Sequence, residues 1–222
     1  MKDKVIFLDF DGTLTNGDFH IWKFLWRASG YPIHKNSYYA KYKKSFIQGD
    51  ISYFEWCDKS LTFFKQKGIT SKKIFKCARH IKLIKNVKKF IKILKRKGFE
   101  IYILSGNFKE IIAKSLGKNI VSKITFIQAN EFVFQDGKLC NIIPKDCDYE
   151  AKPKFVEEIL NKENFDKSKT FFVGNGKNDE LVKSVGIKSI CINAEDTDFK
   201  NKNYWDNYVF DNDILKVLKF IN

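Results

Sequence analysis

The sequence predicts an α/β protein with a mostly parallel sheet and a small helical lobe inserted after the first strand. Three observations carry that reading. A short apolar run ends in carboxylates at Asp9 and Asp11, a long stretch of helical periodicity follows, and strand and helix patterns then alternate along the rest of the chain. Short βα alternation of this kind builds a mostly parallel sheet.

The elements follow in order. Lys4-Val-Ile-Phe-Leu-Asp9-Phe is continuous, apolar and rich in β-formers, and Asp11-Gly12 closes it, which suits a strand buried on both faces. From Asp18 to Asn86 apolar residues recur at helical spacing: Ile21, Phe24 and Leu25, then Ile51, Phe54 and Leu61, then Ile74, Phe75 and Ile81. Breaks at Gly30-Tyr31-Pro32, Gly49-Asp50 and Gly68-Ile69-Thr70 divide this lobe into about four helices. Val87 to Lys97 is amphipathic and stops at Gly98, Glu100 to Leu104 reads as a strand, and Asn107 to Leu116 as a helix stopped by Gly117. Ile124 to Gln128 predicts a strand, followed by a hairpin of Phe132 to Phe134 and Leu139 to Ile142 around the Asp136-Gly137 turn. Pro153 to Asn161 reads as a helix, Thr170 to Val173 as a strand, Asp179 to Val185 as a helix and Ser189 to Ile192 as a strand. The expected division is a core of residues 1–16 and 87–222, with residues 17–86 forming the lobe.

Composition narrows the function. With 222 residues, 44% of them hydrophobic, the chain can bury a substantial core without disulfide or metal staples. No apolar run approaches the roughly 20 residues a spanning helix needs, and no signal-peptide pattern opens the chain. The five cysteines, Cys57, Cys77, Cys140, Cys147 and Cys191, are scattered without a CxxC pair, the pattern of reduced thiols in a cytoplasmic protein. His20, His34 and His80 lack the spacing of a zinc site. The net charge of +15 comes almost entirely from lysine, because Arg27, Arg79 and Arg96 are the only arginines. Lysine lacks the planar fork that reads bases or grips phosphates in pairs. A solvated lysine surface that steers anionic substrates is therefore expected, with no dedicated nucleic-acid site.

The polar residues fall where an α/β sheet binds ligands, beyond the carboxyl ends of its strands. Three strands end in such residues: Asp9 and Asp11; Ser105-Gly106-Asn107; and Gly174-Asn175-Gly176-Lys177-Asn178-Asp179. A carboxylate pair, small hydroxyl and amide groups and a lysine at Lys152 make a site for a divalent cation and a phosphoryl group. Taken singly, each has a plainer reading: Asp-Gly is often a turn, Ser-Gly-Asn often caps a helix, and a lysine in so lysine-rich a chain is usually solvated. Gly174-Asn-Gly-Lys lacks the spacing and the following Ser or Thr of a nucleotide-binding P-loop.

In conjunction these residues resemble the haloacid dehalogenase superfamily. Asp9-Phe-Asp11-Gly12-Thr13 resembles its first motif, Ser105-Gly106 its second, Lys152 its third and Gly174-Asn-Gly-Lys-Asn-Asp179 its fourth. The helical insertion, with Ala-Asn-Glu-Phe-Val-Phe at Ala129 to Phe134, resembles the phosphoserine-phosphatase-like branch. The resemblance implies a Rossmann-like core under a helical cap. It also implies a magnesium-dependent phosphatase acting on a small phosphorylated metabolite. Asp9 would be the nucleophile that forms an aspartyl phosphate, and Asp11 the general acid and base. Ser105, Gly106 and Lys152 would hold the phosphoryl oxygens, with Asn178 lining the site. Mg²⁺ would be held by Asp9, by the backbone carbonyl of Asp11 and by the fourth motif at Asn175 and Asp179, where Asp179 would also anchor Lys152.

Two departures bear on activity and substrate. The fourth motif usually supplies an anionic ligand where this chain has Asn175, whose amide oxygen coordinates magnesium without a charge, so metal affinity should fall. In phosphoserine phosphatases an acidic residue near the first motif holds the substrate ammonium, a place that Asp18 fills. An arginine of the cap holds the substrate carboxylate, but Ser60 stands there, with Lys59 beside it as a poor substitute. Another small phosphomonoester, with an apolar or aromatic part, fits better. Trp22, Trp26, Tyr38, Tyr39, Tyr42, Tyr53 and Trp56 enrich the lobe in aromatics, most of which packing between helices explains. Two alternatives stay open: a phosphotransferase that passes the group from Asp9 to an alcohol, and a non-catalytic member that binds a phosphorylated ligand or partner.

Overall fold

The computed structural model describes residues 4–17, 20–147, 149–193 and 204–221. Its seven-stranded sheet runs in the order β4-β3-β2-β1-β5-β6-β7. The strands are β1 (Lys4–Leu8), β2 (Phe99–Phe108), β3 (Phe126–Gln135), β4 (Lys138–Ile143), β5 (Thr170–Gly174), β6 (Lys188–Ile192) and β7 (Asn207–Val209). All neighbours pair in parallel except β3 and β4, which form the antiparallel hairpin at one edge. The mostly parallel α/β sheet expected from the sequence is therefore observed.

Val5, Ile6, Phe7 and Leu8 are all fully buried because β1 sits in the middle of the sheet with apolar layers on both faces. On one face lies α5 (Val87–Arg96), whose Val87, Phe90, Ile91 and Leu94 form a buried stripe at helical spacing. On the other lies α8 (Ala151–Glu163), through Val156 and Leu160. Strand order reverses at β1, since β2 and β3 add to one side of it and β5 to β7 to the other. Such a reversal opens a crevice at the carboxyl ends of the strands.

Between β1 and α5 the chain forms α1 (Ile21–Ala28), α2 (Tyr38–Gln48), α3 (Tyr53–Gln66) and α4 (Ser71–Cys77). Local chemistry sets their ends. Ser37 and Thr70 accept from amides of the first turns of α2 and α4, and α3 opens on a capping box. In that box Glu55 N–H donates to Ser52 Oγ at 3.2 Å while Glu55 Oε2 accepts from Ser52 N–H at 2.8 Å. Trp26 is wholly buried among Tyr39, Trp56 and Phe64, so most lobe aromatics are packing residues, as expected.

Several elements differ from expectation. Ile124 to Gln128 and Phe132 to Phe134 are one strand, β3, because the chain between them keeps pairing with β2 on one side and β4 on the other. The Asp136-Gly137 turn is as expected, with φ of 49° and 72°, the left-handed values that a two-residue hairpin loop requires. β2 runs to Phe108 through a register shift between Leu104 and Phe108, so the expected helix at Asn107 starts only at Lys109, as α6 (Lys109–Leu116). The segment Lys177–Val185 is a 3₁₀ coil rather than an α-helix, opened by an Asp179 N–H to Gly176 carbonyl bond at 3.0 Å. Strand β7 and a closing 3₁₀ coil, Ile214–Phe220, are too short to show periodicity.

Candidate active site

Asp9 lies just beyond β1, where strand order reverses. Its backbone N–H donates to the Val173 carbonyl at 2.9 Å, so the β1–β5 ladder fixes the residue before any side-chain contact. The carboxylate is nearly buried and accepts twice: Oδ1 from Lys152 Nζ at 2.8 Å and Oδ2 from Thr13 Oγ1 at 3.0 Å. Lys152 is supplied by the first turn of α8, is 1% exposed, and also bonds Asp179 Oδ1. Asp179 Oδ2 in turn accepts from the Asn175 and Gly176 amides at 3.0 and 3.1 Å. Both Asp179 oxygens are thus engaged in holding Lys152 and the loop after β5, which suits the anchoring role expected for it.

Two glycines are required by close approach. A Cβ on Gly174 would stand 2.6 Å from Asp179 Oδ2. Gly12 has a φ of +81°, and a Cβ there would run into the Asn175 side chain, so the turn after Asp11 and the loop after β5 are in contact.

Asp11 is half-buried and accepts from one nitrogen, Asn107 Nδ2, on both its oxygens, at 2.9 and 3.1 Å. Asn107 is fully buried in the bulged end of β2. Its Oδ1 accepts from Phe108 N–H at 2.6 Å and its own N–H donates to Ser105 Oγ at 3.1 Å. The register shift that lengthened β2 is therefore what aims Ser105 and Asn107 at the site. Asn130 of β3 backs this segment, its Nδ2 lying 2.8 Å from the Gly106 carbonyl and 3.1 Å from the Asn107 carbonyl.

The helices reach the same segment. Trp22 Nε1 donates to the Gly106 carbonyl at 3.0 Å, and Tyr53 Oη accepts from Asn130 Nδ2 at 2.7 Å. Between helices and sheet edge lies a cavity of about 250 Å³. One end is lined by Asp9, Asp11, Ser105, Gly106, Lys177 and Asn178, the other by apolar and aromatic residues of α1 to α3 together with Lys43, His20 and Tyr149. Lys152, Asn175 and Asp179 pack behind Asp9. Every sequence-predicted site residue that is described therefore falls in one cluster; Asp18 lies outside the described residues. Ser60 is fully buried and accepts from Trp26 Nε1 at 3.2 Å, within the helical layer and away from the cavity. Thr13, Asn107 and Asn130 carry contacts to which the sequence assigned no role. Each stands in a quoted segment, Thr13 in the first motif, Asn107 at the strand end and Asn130 within Ala129 to Phe134, but without a role of its own.

The electrostatics call for a cation. Burial pushes the Asp9 carboxyl well above its usual range; the Lys152 ammonium pulls it down, and Asp179 and Asp11 push it up again. Two carboxylates, Asp9 and Asp179, thus flank one buried ammonium, and Asp11 adds a third negative charge near Asp9. Among the described residues no three His, Cys, Asp or Glu side chains form a ready metal cluster. A backbone carbonyl and an amide oxygen would have to complete an oxygen set. Asn175 fits that need: it is 2% exposed, and its Nδ2 is buried without a partner while its Oδ1 faces Thr13 Oγ1 at 3.0 Å. Thr13 has a single hydroxyl proton and two oxygens before it. A half-turn of the Asn175 amide would give Thr13 a donor and free the oxygen for a hard cation.

The family model for haloacid dehalogenase-like hydrolases matches residues 4–181. A phosphoserine phosphatase of Methanocaldococcus jannaschii is 27% identical over 189 residues, covering 84% of each chain. One of Archaeoglobus fulgidus is 25% identical over 161 residues, 71% of this chain but 44% of that one. Among solved structures, a phospho-aspartyl intermediate analogue of phosphoserine phosphatase superposes over the whole of both chains with a TM-score of 0.74 at 24% identity. A HAD family hydrolase from Salmonella enterica serovar Typhi superposes with a TM-score of 0.77 at 15% identity, over 99% of this chain and 71% of that one. These superpositions bear on the fold.

Proposed function

Since the chain belongs to the haloacid dehalogenase-like hydrolases, we propose that it is a magnesium-dependent phosphatase that hydrolyses a small phosphomonoester through an aspartyl phosphate on Asp9. The observation that carries this reading is the cluster itself: a buried carboxylate paired with Lys152, a second carboxylate held by Asn107, and Ser105, all at one cavity end. The relatives named phosphoserine phosphatase and the neighbour described as a phospho-aspartyl intermediate analogue support the same chemistry.

In the first step an Asp9 carboxylate oxygen attacks phosphorus, the bond from phosphorus to the leaving oxygen breaks, and Asp11 passes a proton to that oxygen. In the second, water attacks phosphorus, its proton goes to Asp11, and the bond from phosphorus to Asp9 breaks to release phosphate. Ser105 Oγ, the Gly106 amide and the Lys152 ammonium stabilise the phosphoryl oxygens as charge redistributes. Lys152, held by Asp179, opposes the effect of burial on the Asp9 carboxyl. A magnesium ion held by the Asp9 carboxylate, the Asp11 backbone carbonyl and the Asn175 side chain would supply the positive charge that the carboxylate cluster lacks.

Residues 17–86 act as a cap over a core of 1–16 and 87–222, tied down through Trp22 and Tyr53. Among the described residues no helix is long and apolar enough to cross a membrane. The cytoplasmic setting in this reading rests on the scattered cysteines, which lack a CxxC pair. The deciding experiment is magnesium-dependent phosphate release from an aryl phosphate, with Asp9→Asn as the control. Equal release by that variant, or release indifferent to magnesium, would overturn the proposal.

A further inference from the structure

The cavity wall facing the carboxylates is apolar in a specific way. Trp22 and Tyr53 turn their polar tips toward the sheet edge, Trp22 Nε1 donating to the Gly106 carbonyl and Tyr53 Oη accepting from Asn130. Their ring surfaces are left to line the cavity. Behind them the rings are locked against one another: Trp22 meets Trp56 edge-on at 5.6 Å between centroids, and Phe46 lies over Trp56 at 6.4 Å and against Tyr53 at 5.7 Å. Burial of Tyr39 pushes its phenol up to about 12, so it adds no charge to this wall. The apolar character continues to the mouth, where Ile47 is 56% and Tyr149 40% exposed. Large hydrophobic side chains left open at the rim of a cavity are characteristic of a ligand site.

The carboxylates sort to the opposite end, while of the two lining lysines Lys177 lies with them and Lys43 of α2 is exposed near Ile47. Among the described lining residues the only carboxylates are Asp9 and Asp11, at the phosphoryl end, and no arginine is present. A zwitterionic leaving group would thus find, among the described lining residues, no carboxylate on the cap side for its ammonium beyond ring faces, and only the exposed, water-screened Lys43 for its carboxylate, a partial return for desolvating two charges. At about 250 Å³ the space is also below the roughly 300–1,000 Å³ usual for ligand pockets, which suits one ring or a short apolar chain beyond the phosphoryl group.

From this sorting we infer that the substrate is a phosphomonoester of a flat, apolar alcohol, one aromatic ring in size, and not a phosphorylated amino acid. The inference rests on the phosphatase reading for its chemistry but on the cavity wall for its specificity.

The test compares phenethyl phosphate, ethyl phosphate and O-phosphoserine. All three are esters of unactivated primary alcohols, so intrinsic leaving-group reactivity does not favour the aromatic one. The expected result is a kcat/KM for phenethyl phosphate at least about tenfold above that for ethyl phosphate, with O-phosphoserine no better than ethyl phosphate. Ile47→Asp, at an exposed position that folding tolerates, and Phe46→Ala should both lower the phenethyl-to-ethyl ratio. Turnover of all three with a flat ratio, or preference for O-phosphoserine, overturns the substrate class while leaving the phosphatase reading intact. If none is turned over, the phosphatase reading falls instead. Titration of the same three compounds into Asp9→Asn, followed by calorimetry, then decides the pocket chemistry on its own: tighter phenethyl phosphate binding upholds it, and equal or weaker binding overturns it.

Discussion

Asn107 holds both oxygens of Asp11 through one amide nitrogen, at 2.9 and 3.1 Å. Asn107 is itself fixed by its bond from Phe108 N–H and by full burial, so the carboxylate is aimed by a rigid group. A proton donor acts only within hydrogen-bond reach of the oxygen it serves. Asn107→Ala should therefore lower kcat about 10- to 100-fold with a smaller change in KM, a part of the roughly 10²–10⁴ that such catalysis contributes. Asn107→Asp should move the Asp11-dependent limb of the pH–rate profile upward, because a like charge disfavours the ionised carboxylate. An unchanged profile in both variants would show that Asp11 is oriented by something else.

Lys152 is the one cation between two buried carboxylates, with no exposed side-chain surface of its own. Replacing it by methionine keeps most of the stem volume and removes the charge, leaving Asp9 and Asp179 facing each other. Breaking a buried pair in this way costs about 3–5 kcal/mol. Chemical denaturation of Lys152→Met should show a loss of that size, and activity should fall to background. A stable variant would mean that water reaches and neutralises the cluster.

Much of this arrangement is legible in the sequence, for identifiable reasons. The buried run Val5 to Leu8 and the stripe Val87, Phe90, Ile91 and Leu94 are local patterns, so periodicity alone locates the sheet centre and the helix beneath it. Asp9, Ser105 and Asp179 are legible because they end or follow strands, and strand ends converge in this architecture, whereas Lys152, in the first turn of α8, stands out only in conjunction with them. The bulge that carries β2 through to Phe108 was not visible, since it depends on pairing with β3 and on the Asn107 side chain replacing ladder bonds. The role of Asn130 is hidden for a similar reason: its partners Tyr53, Gly106, Asn107 and Lys145 are all at least 15 positions away. The closing segment was missed because its strand has only three residues and its coil is held by a distant side chain.

That distant contact gives a pH dependence. Asp213 caps the closing 3₁₀ coil, its Oδ1 accepting from Leu215 N–H at 3.0 Å, while Oδ2 accepts from Asn86 Nδ2 at 2.8 Å. The Asn86 bond is the main reason its carboxyl is held below the usual range; burial opposes the shift, and the Leu215 amide with Lys85 and Lys216 reinforce it. A depressed folded-state value means stabilisation that is present above the unfolded value, near pH 3.9, and lost as pH falls through the folded one. Asp213→Asn should therefore melt below the native protein at neutral pH, with the gap closing in acid. Thermal unfolding across that range reads it directly, and a gap independent of pH would show that the contact does not depend on charge.

Asn175 is where the sequence and the carboxylate cluster pull in opposite directions. Its amide shares the Thr13 hydroxyl with Asp9, each oxygen at 3.0 Å, and brings no charge to a site where Asp9 and Asp179 flank Lys152 and Asp11 lies near Asp9. Asn175→Asp adds a fourth carboxylate at a position 2% exposed. Without a cation the added repulsion and buried charge should lower the melting temperature, because an unpaired buried ion is costly. With magnesium the same charge becomes a stronger ligand, and the half-saturating concentration should fall about tenfold. Binding to the folded state alone stabilises it by about 2.7 kcal/mol at a hundred times Kd, so the variant's melting curve should rise more steeply with magnesium than that of the native protein. Unfolding measured across a magnesium series separates the two effects without relying on turnover. Parallel curves for the two proteins would remove Asn175 from the cation's surroundings.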